Sequence, residues 1–195
     1  MAWSDAAARR KYHVGNLRAQ LLEEARALVE AGGLAQLNLR SLAARAGIAP
    51  GSVYHHYENK AELLAELAAT GFQELEQTLE QALAEAPQGV RIRTLARAYF
   101  GFSRAQPALF GLMFDAGVLG HSKVDEARQK AFEVLERAIG VALPDRDEPE
   151  ARTKIALAVW ACGHGAATLA SPETERHDAL LEDVIQGLEL LFGRR

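Results

Sequence analysis

Apolar side chains recur along this chain at the three- and four-residue spacing of a helix, and almost nowhere at the two-residue spacing of a strand. Leu17, Leu21, Ala25, Leu28 and Val29 share one face of a segment from about Asn16 to Ala31, which Gly32 and Gly33 end. Asn38 stands where a cap is needed for a short second helix that stops at Gly47. A third short helix is predicted from near Pro50 to near Tyr57, and Glu58 and Asn59 then break the pattern. Asn59, followed three residues on by Glu62, reads as a capping-box-like start for a fourth helix that runs to Ala86. Later helices are predicted over roughly 90–105, 107–116, 122–143, 147–171 and 173–193, with Pro107, Pro144, Pro149 and Pro172 at the joints. The pattern predicts an all-α chain of about nine helices.

Composition supports this picture: Ala, Leu, Glu and Arg dominate, and all favour helix. With 49% apolar residues in 195, there is enough for one large or two small cores. Charge adds something new. Net charge is −4, yet residues 1–60 carry eight Lys and Arg against five acids, so the remainder is strongly acidic. A basic head on an acidic body suggests that the head alone meets a polyanion. Within it, Arg9, Arg10 and Lys11 form a polar arm, either a solvated tail or a minor-groove reader. The single cysteine, Cys162, excludes an intrachain disulfide and a four-cysteine zinc site. The longest apolar run, residues 155–170, is too short and too rich in Gly and Ala to span a bilayer. No secretory signal opens the chain, and a cytoplasmic protein without membrane association is expected.

The most informative stretch lies between Leu39 and Leu64. Leu42, Ala43 and Ala46 give a short helix an apolar inner face, Gly47 permits a left-handed turn, and Ile48 plugs the space between two helices. Pro50 suits the first turn of the next helix, where its missing N–H costs nothing. Val53 and Tyr57, four apart, face inward, which leaves Ser52, Tyr54, His55 and His56 outward. Two short helices about a small-residue turn are what a DNA major groove accepts. The adjacent His55 and His56 have no third ligand near in sequence, so no metal site is expected.

This stretch resembles the DNA-binding motif of the TetR family in Arg40, the run Ala43 to Gly47, Ser52-Val53-Tyr54, the aromatic Tyr57, Lys60, and Leu63-Leu64. The resemblance covers about a quarter of the chain. It departs at Ala49, where the family often has the Ser or Thr that caps the recognition helix. The resemblance implies that Tyr54 and Lys60 bond phosphates and that Arg40 reaches the groove or backbone. It also implies that Pro50, Gly51, Ser52 and His55 face base edges and sugars, with His56 near the backbone. No Arg, Lys, Asn or Gln stands in that helix, so direct readout rests on His55, Ser52 and contacts with thymine methyls.

The body carries no phosphate loop, no H-E-x-x-H and no G-x-S-x-G, so no enzyme is expected and no cofactor is implied. Phe72, Tyr99, Phe102, Phe110, Met113, Phe114 and Trp160, each a core residue when taken singly, mark out as a set a partly open apolar cavity. Trp160 to Gly165 resembles the W-x-x-x-H-G signature of a TetR C-terminal subtype, with Trp160 and His164 four apart on one helical face. His164 fits two roles, a hydrogen-bond partner for a ligand and a satisfied core histidine. On the last helix Leu180, Val184, Leu188 and Leu191 form one stripe with Leu181 and Ile185 beside it, a width that suits a homodimer interface.

These readings divide the chain into residues 1–60, an arm and helix-turn-helix DNA-binding domain, and residues 61–195, a helical domain for ligand binding and dimerisation. The function they imply is a transcriptional repressor, responsive to a small apolar effector and bound as a homodimer to palindromic double-stranded operator DNA. A catalytic body or a helical interaction module without DNA function are the competing classes.

Overall fold

A computed structural model describes residues 17–144, 148–169 and 177–192. Among them are nine α-helices and no strand: α1 (Leu17–Gly32), α2 (Leu39–Ala46), α3 (Pro50–Tyr54), α4 (Lys60–Glu85), α5 (Arg91–Ala105), α6 (Pro107–Met113), α7 (Ser122–Ala142), α8 (Pro149–Leu169) and α9 (His177–Phe192). A short 3-10 turn, Gln88–Val90, leads into α5. The Arg9-Arg10-Lys11 arm lies outside the described residues.

Local chemistry sets the first three helices. α1 buries Leu21, Ala25 and Val29. At the start of α2 the Asn38 side chain accepts from Ser41 N at 2.8 Å and Ser41 Oγ accepts from Asn38 N at 3.2 Å, so both orphan donors are satisfied reciprocally. Gly47 ends α2 at φ 68°, a left-handed conformation open to glycine and resisted by a side chain. Pro50 opens α3, whose N-cap position, Ala49, supplies no side-chain hydrogen bond. The helix ends at Tyr54 and does not continue to Tyr57. His56 N and Tyr57 N both donate to the Val53 carbonyl, at 2.9 and 3.0 Å, and this tightened turn swings Tyr57 into the core, where it is fully buried.

α4 is the spine. Asn59 caps it, accepting from Glu62 N at 2.9 Å, and its 26 residues extend about 39 Å. Its early turns bury Leu63 and Leu67, and its later turns bury Phe72, Leu75 and Leu79. It packs against α1 at one end and against α5, α6 and α7 along the rest. Gly71 allows α6 to come close: a Cβ there would stand 2.8 Å from Met113 Sδ and 3.1 Å from Leu109 Cγ. α6 also touches α1, so this short helix bridges head and body. One apolar core runs from Leu21 through Phe72 to Val159, and a smaller one joins Phe100, Ala166, Leu181 and Ile185 under α9.

Candidate nucleic-acid interface and ligand cavity

The turn between α2 and α3 presents a polar, largely exposed surface. Arg40, Pro50, Gly51 and His55 are exposed, Ser52 and His56 are half-buried, and the Tyr54 ring is 53% exposed although its neighbour three residues on, Tyr57, is fully buried. A large aromatic so exposed on a five-residue helix gains little from folding, and its hydroxyl is left available to a partner. Arg40 makes no ion pair among the described residues. Lys60 is half-buried, and its Nζ donates to the Leu34 carbonyl at 2.8 Å, which holds the ammonium at the start of α4.

The pose of this surface is fixed from behind. Arg18 Nη1 donates to the His56 carbonyl at 2.7 Å, and Nε donates to Glu66 Oε1 at 2.9 Å. Its guanidinium lies 4.6 Å from the Tyr57 ring centroid, and the Tyr57 hydroxyl donates to Glu66 at 3.2 Å. Burial pushes the Tyr57 phenol well up, so it keeps its proton. Burial alone would raise Glu66 too, but the hydrogen bond and charge of Arg18, with Lys123 and Tyr57, outweigh it and hold the carboxyl below its usual range. Lys123 on α7 stands 3.5 Å from Glu66, which ties this junction to the body. A second junction repeats the design: Arg26 Nη1 donates to Glu74 at 2.5 Å, and Nη2 donates to Gln106 between α5 and α6.

None of Arg18, Arg26, Glu66 and Glu74 was among the residues the sequence singled out. A signal existed, because the two arginines on α1 and the two glutamates on α4 are each eight residues apart, giving two opposite-charge pairs with the same separation of 48. A charge ladder of that kind shows only once both helices are known to run side by side.

In the body two adjoining cavities, of about 50 and about 180 Å³, share the wall formed by Ile92, Ala96, Val159, Ile185 and Leu188. One end reaches Tyr99, Trp160 and Gly163, and the other lies beside Arg91, Arg93 and Leu143. Of the eight pocket residues expected from sequence, Tyr99 and Trp160 line this space. The other six do not line it: Phe72, Phe102, Phe110 and Met113 are buried, Phe114 packs edge-on against Phe72 at 5.2 Å, and His164 contacts Phe114 and Tyr99. Phe110 meets Phe114 at 5.1 Å and Tyr99 at 5.6 Å, and Tyr99 meets Trp160 at 5.3 Å, so the rings form one chain ending at the cavity.

His164 sits within this chain, 4.2 Å from the Phe114 ring, and its Nδ1 is 3.1 Å from the Tyr99 hydroxyl. Burial pushes the Tyr99 phenol far up and the His164 imidazole down. Both groups are therefore neutral, and one proton is shared in a hydrogen bond between the phenol oxygen and Nδ1, its direction set by the imidazole tautomer. That contact satisfies one ring nitrogen inside the protein. The exposed Cys162 lies on another face of α8.

On α9, Leu181 and Ile185 are buried within the protomer, while Leu180, Val184 and Leu188 are half-buried. The Leu191 side chain lies outside the described residues. Among the described residues the most exposed large apolar side chains are Leu157 and Leu169 on α8 and Leu190 on α9, at 60%, 78% and 72% exposure. No helix among the described residues is long and apolar enough to cross a membrane, and they hold no cluster of metal-ligating side chains.

Residues 21–67 match the family described as bacterial regulatory proteins, tetR family, and residues 92–188 match the tetracyclin repressor-like C-terminal domain. Among solved structures, a protein with unknown function from Rhodococcus sp. RHA1 is 33% identical over 91% of this chain and 98% of that one, with a TM-score of 0.73. A bacterial regulatory protein in the tetR family from Rhodococcus RHA1 is 20% identical, covers 89% of this chain and 93% of its own, and gives a TM-score of 0.65. The transcriptional regulator FadR from Bacillus subtilis, in complex with stearoyl-CoA, shares the fold at 14% identity, covering 87% of this chain and 98% of its own with a TM-score of 0.67. No curated protein matches the sequence.

Proposed function

The chain belongs to the TetR family of DNA-binding transcriptional regulators, and from that premise we propose that it is a ligand-responsive repressor acting as a homodimer on a palindromic operator in the cytoplasm. The observation that carries the DNA half is the contrast between Tyr54 and Tyr57: one aromatic is spent on the core and the other is held out beside Arg40, Pro50, Gly51, Ser52 and His55. Tyr54 and Lys60 anchor phosphates, Arg40 reaches the groove or backbone, and His55 and Ser52 read base edges, with His56 near the backbone. Lys60 exchanges its Leu34 carbonyl for a phosphate at the start of α4.

Residues 1–60 serve as the reading domain and residues 61–195 as the ligand and dimer domain, with α4 shared between them. The exposed Leu157, Leu169 and Leu190 support pairing of α8 and α9 with a second copy, and the half-buried Leu180, Val184 and Leu188 extend that face. Two heads related by a twofold axis fit half-sites about 34–36 Å apart or a multiple of that spacing. The effector occupies the apolar space beside Tyr99 and Trp160, and the Trp160–His164 pair marks the W-x-x-x-H-G subtype. Ligand there shifts α6 and α4, and through Arg18 and Arg26 alters the pose of the head.

The test is selection of bound duplexes from a random pool, followed by a salt titration of the duplex recovered. Arg40→Ala and Lys60→Ala each weaken binding on all sequences and reduce the slope of log affinity against log salt by about 1. An unchanged slope in both variants removes the phosphate assignments, and failure to recover any duplex with a folded protein removes the regulator reading.

A further inference from the structure

We propose that the effector of this chain is an amphipathic organic anion, an apolar chain ending in a carboxylate or phosphate, with its headgroup on Arg91 and its chain along α5 toward Tyr99. The inference rests on the ligand-responsive reading above and adds the chemistry of the ligand. The cavities have an apolar lining that follows one face of α5, from Ile92 through Ala96 to Tyr99. From Arg91 to Tyr99 this face extends about 12 Å, so the space is long and suits a chain better than a compact ring system.

Polarity enters at the end beside Leu143, with Arg91 and Arg93. The two differ in their partners. Arg93 and Arg97 converge on the Glu182 carboxylate of α9, at 3.7 and 2.5 Å. Arg91 meets no carboxylate among the described residues, and its Nε is buried with no hydrogen-bond partner. A buried guanidinium nitrogen left unpaired is unfavourable, and an anionic oxygen at the mouth satisfies it with a charge-assisted bond of the bidentate kind that arginine favours. Among the described residues no acidic side chain lines either cavity, and the Glu182 carboxylate beside Arg93 is neutralised by Arg93 and Arg97 together. A cationic ligand would face the arginines unpaired, and an uncharged one would leave Arg91 as it is.

The cavities are smaller than the roughly 300–1,000 Å³ of ordinary ligand sites. A chain entering them presses on Ile185 and Leu188 of α9, the helix assigned to the dimer face. Entry of the anion is thereby linked to the placement of the second copy.

Calorimetry on the full-length protein with decanoate, decyl phosphate, decanol and decyltrimethylammonium tests the proposal. Decanoate or decyl phosphate binds about tenfold or more tightly than decanol, and Arg91→Gln removes that advantage while decanol affinity holds, as loss of one charge-assisted contact implies. Retained decanol binding shows that the variant is folded, and Arg91→Lys recovers part of the loss. The two anions distinguish a carboxylate from a phosphate headgroup. Equal affinity for decanol and both anions overturns the proposal, as does decanoate affinity unchanged in Arg91→Gln, or no binding of any probe. Release of a selected duplex by uncharged compounds but by neither anion overturns this inference and leaves the regulator reading standing. Failure to bind any duplex overturns the regulator reading, and the calorimetry still decides the ligand chemistry.

Discussion

The head, α1 to α3, and the body, α5 to α9, are both helical, yet they hold their functional groups by different means. In the head, short polar contacts fix the backbone: Asn38 with Ser41, Gly47 in the left-handed region, Asn59 on Glu62, and Arg18 on the His56 carbonyl. Each sets the direction of one turn, and together they hold Tyr54 outside and Tyr57 inside. In the body, rings and aliphatic side chains set the shape, and the polar groups left inside are few, Tyr99 and His164 among them. A surface that must meet a fixed duplex gains from stiff, directional bonds. A cavity that must admit a ligand gains from packing that can slide. α4, common to both, buries Leu63 and Leu67 in its early turns and Phe72, Leu75 and Leu79 in its later ones.

The largest expected effect tests whether α4 makes the two regions one cooperative unit. Phe72→Ala removes a fully buried ring at the middle of the spine and costs about 3–5 kcal/mol, lowering Tm by on the order of 10 °C. Thermal unfolding followed by circular dichroism, with head signals read separately by hydrogen exchange, shows both regions failing together. A head whose exchange is unaltered would mean that the two fold apart, and the spine would lose its assigned role.

Next in size is the junction. Arg18→Met removes the donor to the His56 carbonyl and the partner of Glu66, and Arg26→Met removes the partner of Glu74 and Gln106. Both side chains are partly exposed, so each change costs only about 1 kcal/mol of stability. Their effects on DNA differ, because Arg18 alone holds the end of the recognition turn. Arg18→Met weakens duplex binding severalfold more than Arg26→Met in a fluorescence anisotropy titration. Equal losses would mean that the head turns as a rigid block and that the His56 contact has no separate role.

A smaller effect, of opposite sign, concerns the missing cap. Ala49 has φ −65° and ψ 140°, the extended backbone of an N-cap, but no side-chain oxygen. Ala49→Ser supplies one and stabilises the chain by about 0.5–1 kcal/mol, measured by urea unfolding. No gain would show that Pro50 already sets the helix start alone.

How much of this was legible in sequence follows the same division. Most of the head's devices are local, so Asn38, Gly47, Pro50 and the uncapped Ala49 could all be read directly, whereas the Arg18 contact with the His56 carbonyl spans 38 residues and could not. The end of α3 was missed by three residues because two amides share the Val53 carbonyl, a tightening that apolar spacing does not encode. In the body, the aromatic set was legible as apolar residues on helices, and Phe72, Phe114, Phe110, Tyr99 and Trp160 form one ring chain that leaves out Phe102. Which members border empty space was not, since Tyr99 and Trp160 differ from Phe110 and Met113 only in what α9 leaves uncovered. Arg91 and the Arg18–Glu66 junction were invisible for a similar reason: their meaning depends on partners 48 residues away in one case and on the lack of a partner in the other.

The gentlest test separates the two regions by proton. His164 is held below the usual imidazole value by burial, so in acid the unfolded chain takes up its proton before the folded one does. Stability tied to this group is whole above pH about 6.5 and falls as the pH drops below that value toward the folded one. Glu66, held below the usual carboxylate range, contributes stability that is present above pH about 4.3 and is lost as pH falls through its folded value. Acid therefore loosens the body first and the head–body junction second. Urea midpoints of wild type and His164→Gln, compared at pH 7.5 and 5.5, cancel the contribution of the other histidines. The wild type loses more over that interval, and the loss is localised by exchange at α5 and α8, where Tyr99 and His164 meet. Identical changes in both proteins would mean that His164 accepts its proton inside the fold at no cost. The imidazole would then have water or an acceptor within reach of Nε2, and its burial among Tyr99, Phe110 and Phe114 would not set its affinity for a proton.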